Sequence, residues 1–132
     1  MITLDSSAVI ALIGPNDSKH AQAVAALEKK DEERIIPAAA LGEIGYFVEQ
    51  RHGQRVLLSF IGDLIADAFI VQPDEPSFDR IFDLVERYQD MPLGLVDAAV
   101  IACAERNGGR VHTYDYRHFG VVAGEGTITL VQ

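Results

Sequence analysis

Short apolar runs alternate along the chain with longer segments whose apolar residues recur every three or four positions, the pattern of strands interleaved with helices. Ile2 to Leu4 reads as a short buried strand, and Asp5, Ser6 and Ser7 are good capping residues ahead of an apolar helix, Ala8 to Ile13. The Gly14-Pro15-Asn16-Asp17 cluster ends that helix, and Asn16, Asp17 and Ser18 offer caps for a second one running to about Lys30 with Ala23, Val24 and Leu27 inward. Arg34 to Ile36 is the next strand. Pro37 suits a helix start, so a helix is expected from there to about His52, with Gly53 as its stop and a further helix from Gln54 to Ala66. Phe69 to Val71 reads as a strand. Phe78, Ile81, Phe82 and Val85 mark the inner stripe of an amphipathic helix. After a loop at Met91 to Gly94 comes a largely apolar helix, Val96 to Asn107, halted by Gly108-Gly109. Arg110 to Tyr114 and Thr127 to Val131 are the last two strands, with Asp115 and His118 read as loop residues between them. This alternation predicts an α/β fold, a three-layer α/β/α sandwich around a mainly parallel five-stranded sheet, forming one domain over residues 1–132.

With 48% hydrophobic and 23% charged residues and no low-complexity tract, burial can offset chain entropy, so order is expected throughout. No apolar stretch approaches the ~20 residues of a membrane span, and MITLDSSAV has no basic segment ahead of an apolar one. A cytoplasmic protein without a membrane partner is therefore expected. The single cysteine, Cys103, lies among small apolar residues with no activating base nearby, and reads as a packed thiol rather than a nucleophile.

The net charge of −9 argues against nucleic-acid binding through a broad basic surface. Much of the excess is local: residues 74–97 hold seven acids against two arginines, a charge of −5 that reads mostly as a solvated helix face. Any nuclease activity would have to draw on bound cations and a few local basic groups.

Four acids, one of them within the stretch 74–97, stand where apolar sequence gives way to small or polar residues: Asp5, Glu43, Asp97 and Asp115. Carboxylates in such surroundings are costly to bury unless paired, and repel one another when brought together. In open parallel sheets ligands bind beyond the carboxyl ends of the strands, and all four acids follow strands or open helices at that edge. Carboxylates with room for water suit Mg²⁺ or Mn²⁺, and no His or Cys spacing of a zinc site occurs. Each acid also has a plainer reading. Asp5 and Asp97 serve equally as helix caps, Glu43 as a helix residue and Asp115 as a loop acid.

Taken in order, LDSSAVIAL, PAAALGEIGY, GLVDAAVIACAERNGG and TYDYRHFGVV resemble the PIN-domain ribonucleases, and most closely the toxins of VapBC-type toxin–antitoxin pairs. The resemblance implies a PIN-like fold in which Asp5, Glu43, Asp97 and Asp115 hold a divalent metal, with the hydroxyls of Ser7 and Thr113 beside it. It implies hydrolysis of RNA phosphodiesters by an endoribonuclease using Mg²⁺, with Mn²⁺ as an alternative and Glu43 or Asp115 accepting the proton of the attacking water. Arg117 stands where other members carry a further acid. Arg117 and His118 become candidate substrate contacts, against plainer surface and packing roles. The implied partners are RNA, a cognate antitoxin and a second copy of the chain. The apolar surplus on the helices around 38–52 and 54–66 agrees with a protein interface.

Other functions share parts of this pattern. A phosphatase acting through a phosphoaspartate expects an acid two positions after Asp5, where Ser7 stands, and a receiver-like signalling domain expects a late lysine, whereas none follows Lys30. An RNA-processing PIN nuclease outside any toxin–antitoxin pair and a non-catalytic PIN-like binding module are the remaining alternatives.

Overall fold

The computed structural model describes residues 1–28 and 31–131. Five strands, β1 (Ile2–Leu4), β2 (Arg34–Pro37), β3 (Ile70–Gln72), β4 (Arg110–His112) and β5 (Thr129–Val131), form one sheet in the order β3-β2-β1-β4-β5. Every pairing is parallel. The helices are α1 (Ser6–Ile13), α2 (His20–Glu28), α3 (Leu41–His52), α4 (Gln54–Ile65), α5 (Phe78–Arg87), α6 (Leu95–Arg106) and α7 (Tyr116–Ala123).

Alternate strand residues feed two separate cores, as a sheet covered on both faces requires. Ile2, Leu4 and Ile36 pack with Val9 and Ile10 of α1, Ile44 and Val48 of α3 and Phe60 of α4. Val111 packs on the other face with Ile81 and Leu84 of α5, the run Ala98 to Ala102 of α6, and Phe119 and Val122 of α7. Burying α6 on nearly all sides explains its almost continuous apolar sequence, and Cys103 is packed at 0% exposure, as expected. Among the described residues no helix is long and apolar enough to cross a membrane.

Several boundaries move for identifiable reasons. α1 starts two residues early, at Ser6. α2 starts at His20, after a turn in which the Asp17 carboxylate accepts from the Lys19 amide (2.8 Å); its expected end at Lys30 lies outside the described residues. Pro37 closes β2 rather than opening a helix, and a 3₁₀ turn over Ala38–Ala40, whose Ala39 amide donates to Asp74 (2.8 Å), leads into α3. β3 is displaced by one residue, and β5 opens at Thr129 rather than Thr127. β4 ends at His112 because Thr113 and Tyr114 leave the ladder to bond with side chains at the site described below. On α5 the buried positions are Ile81 and Leu84, while Phe78 and Phe82 are 58% and 66% exposed, so the inner stripe lies one step round from the expected one. The segment after Asp115, read as a loop, is the helix α7.

Candidate active site

The carboxyl ends of β1, β2 and β4 meet the first turns of four helices. Asp5 is the N-cap residue of α1 and Asp115 that of α7, while Glu43 and Asp97 sit in the first turns of α3 and α6. The positive ends of four helix dipoles thus lie beside four acids, which offsets part of the cost of gathering them.

Asp5 occupies a cap position without capping: its side chain makes no capping hydrogen bond to α1. Instead Oδ2 accepts from the hydroxyls of Ser7 and Thr113, both at 2.8 Å. Those hydroxyls are fixed in turn, because Ser7 Oγ accepts from the Tyr114 amide (3.0 Å) and Thr113 Oγ1 from the Asp115 amide (2.9 Å). The Asp5 carboxyl is 4% exposed, and burial pushes its pKa up despite these bonds, with the charge of Glu43 adding to the rise.

Asp97 and Asp115 come together with His118, one ligand atom of each lying within 4.8 Å of the others. The pKa of Asp97 is pushed up to about 6, first by burial, then by the charges of Asp5 and Asp115 and, more weakly, Glu43, with His118 opposing. Asp115 accepts from the His118 amide (3.3 Å) and pairs through Oδ2 with His118 Nδ1 (2.8 Å), which raises the histidine's pKa. Glu43 is half-buried, close enough for its charge to act on both Asp5 and Asp97, and has no hydrogen bond or ion pair among the described residues.

All four acids thus share one electrostatic neighbourhood, with Ser7 and Thr113 beneath Asp5. His118 is bound to an acid of the site rather than loose in a loop; its signal in the sequence was the three-residue spacing from Asp115, which places the two together once α7 is helical. Arg117 is exposed at the same turn. The donor set is rich in carboxylate oxygen, and the raised pKa of Asp97 marks negative charge that nothing in the protein fully offsets. Both features fit a hydrated divalent ion such as Mg²⁺ or Mn²⁺.

The family profile of the PIN domain matches residues 2–125. The chain belongs to the PIN-domain family. Within it, the chain is similar to Ribonuclease VapC26 of Mycobacterium tuberculosis, at 25% identity over 132 residues, covering 97% of this chain and 98% of that protein. Among solved structures it shares its fold with M. tuberculosis VapC20, a sarcin-ricin loop cleaving toxin, at a TM-score of 0.81 and 18% identity over 92% of this chain and 95% of that one. FitAcB of Neisseria gonorrhoeae superposes with a TM-score of 0.72 at 18% identity, covering 100% and 97% of the two chains. A toxin–antitoxin complex from Klebsiella pneumoniae does so with 0.71 at 19%, covering 98% and 96%.

Proposed function

We propose that this PIN domain is a metal-dependent endoribonuclease acting in the cytoplasm as the toxin of a VapBC-type pair. The observation that carries the reading is the grouping of Asp97 with Asp115, beside a buried Asp5 that makes no cap bond although it holds a cap position. Similarity to a named ribonuclease along nearly the full length of both chains supports RNA as the substrate.

In this reading Asp5, Glu43, Asp97 and Asp115 hold Mg²⁺ or Mn²⁺. The ion would supply an acidified water for in-line attack on the phosphodiester and neutralise charge on the leaving oxygen. Ser7 and Thr113 orient the Asp5 carboxylate through their two hydrogen bonds. The Asp115 carboxylate is steadied by His118, which leaves Glu43 as the acid assigned to take the proton of the attacking water. The ring nitrogen of His118 that Asp115 leaves free is assigned to a phosphate oxygen. An antitoxin and a second copy of the chain are assigned to the apolar positions left in solvent on α3 and α4: Tyr46, Leu58, Ile61 and Ile65, the last 79% exposed. A basic antitoxin segment would complement the acidic site.

The test is cleavage of RNA by the purified protein. Mg²⁺ or Mn²⁺ should support it and EDTA abolish it. Undiminished cleavage in EDTA, with contaminating nuclease excluded by an Asp5→Asn preparation, refutes the metal mechanism.

A further inference from the structure

With 11 Lys and Arg against 20 Asp and Glu, cations are outnumbered in this chain. Arg80, Arg87 and Arg110 are each committed to a glutamate, and Arg51 lies 4.7 Å from the centre of the Phe47 ring. Lys19 and Arg117 differ. Both are exposed, and neither side chain forms an ion pair or hydrogen bond among the described residues. Both also flank the turn that carries Asp115.

The Lys19 ammonium stands 5.9 Å from the centre of the Tyr114 ring. That ring is fixed: its hydroxyl bonds to Nε2 of the buried His112 (3.1 Å), and the two rings meet edge to face at 5.2 Å and 81°. A cation held over an aromatic face keeps its full charge, whereas one held by a carboxylate does not. Beyond Asp115, Tyr116 presents a ring that is 44% exposed, and Arg117, the next residue of α7, is exposed as well. Two cations without an ion pair among the described residues and an open aromatic ring therefore lie beside Asp115, Lys19 through its contact with Tyr114 and the other two through the chain itself, in an otherwise acidic protein.

We infer that Lys19, Tyr116 and Arg117 form an arm along which single-stranded RNA lies beside the carboxylates, Lys19 and Arg117 contacting phosphates and Tyr116 stacking on a base. Tyr114 is a positioning residue that holds Lys19 in place. A single strand is specified because only an unstacked base offers its face to a protein ring, while the faces of paired bases are covered by their neighbours. The inference rests on the ribonuclease reading above and adds to it the residues that seat the strand.

The experiment measures binding of a fluorescein-labelled, unstructured RNA of about twelve nucleotides across a series of salt concentrations. Two non-cleaving backgrounds are used, Asp5→Asn in Mg²⁺ and the otherwise unaltered protein in EDTA, with melting curves to confirm folding. Lys19→Ala and Arg117→Ala should each weaken binding about fivefold and lower the slope of log affinity against log salt by about 0.7, the loss of one phosphate contact on a single strand. Tyr116→Ala should weaken binding roughly tenfold without changing that slope, and Tyr116→Phe should restore it. Arg55→Ala, a cation beyond the far end of α3, should change nothing. In the cleaving protein the arm variants should raise KM and leave kcat within about threefold.

Unaltered affinity and slope in a protein that still cuts RNA overturn the arm and leave the nuclease standing. Arm-dependent binding without cleavage overturns the nuclease and leaves the arm. Equal affinity for an RNA duplex, or for an oligoglutamate peptide, overturns the assignment to single-stranded RNA.

Discussion

Asp97 holds its proton up to about pH 6 in the folded chain, against 3.8 for the ordinary group. Between those values the folded state binds more protons than the unfolded one, so this residue's contribution to stability is lost as pH rises from about 4 to about 6 and stays lost above. In EDTA, Asp97→Asn should therefore melt higher than the parent at pH 7 and equal to it near pH 4. The gain is on the order of 1 kcal/mol, since solvent at this half-exposed carboxyl screens part of the shift. Protons and metal compete for the same carboxyl, so Mg²⁺ affinity should fall as pH drops below about 6. Asp5→Asn and Asp97→Asn should each reduce cleavage by at least ~100-fold, although neither carboxylate caps its helix, Asp97 standing inside the first turn of α6 behind Gly94. A variant with parental cleavage removes that residue from the site. The place of Asp5 and Asp115 at the carboxyl edge of the sheet was legible from the chain because each follows a short strand, Asp5 directly and Asp115 after Thr113 and Tyr114. Whether the Asp5 carboxylate caps α1 was not, because one of the hydroxyls that bind it instead, Thr113, lies 108 positions away.

Helix ends set the shape of the site, and one close approach governs how they sit. Gly14, at the end of α1, lies under the ring of His52 at the end of α3, and a Cβ there would come within 2.6 Å of Cδ2 and Cε1. The backbone at Gly14 is ordinary, with φ −89°, so the constraint is one of space alone. Gly14→Ala should cost about 1 to 3 kcal/mol by overpacking, measured by denaturant unfolding. In the double variant with His52→Ala most of that cost should vanish, and additive losses would show that the two residues do not contend for the same space. Alternation of strands and helices carried the layered fold in the sequence, since short apolar runs and three-to-four spacing are local signals. α7 was hidden because its two buried residues, Phe119 and Val122, are divided by Gly120 and accompanied by a second valine facing solvent. The face of α5 was misjudged for a related reason: two phenylalanines dominate any reading by hydrophobicity, yet stand outside the core.

At the scale of the whole molecule, a net charge of −9 surrounds a site that must admit a polyanion. That field opposes RNA in general and favours a basic peptide, the charge expected of an antitoxin's tail. Expression without a partner should arrest growth, and co-expression with a small protein encoded beside it should relieve the arrest. Growth at the normal rate with soluble, cleavage-competent protein would instead favour an RNA-processing role. The pairing of Thr113 with Asp5 reaches further. It joins the first strand to the fourth, and β4 lies between β1 and β5 in the sheet. During synthesis Asp5 and Glu43 leave the ribosome well before β4 and the Thr113 that follows it, and a parallel strand pairs only once its whole crossover has been made. The gathering of these carboxylates at one edge of the sheet is thus among the last things the chain completes.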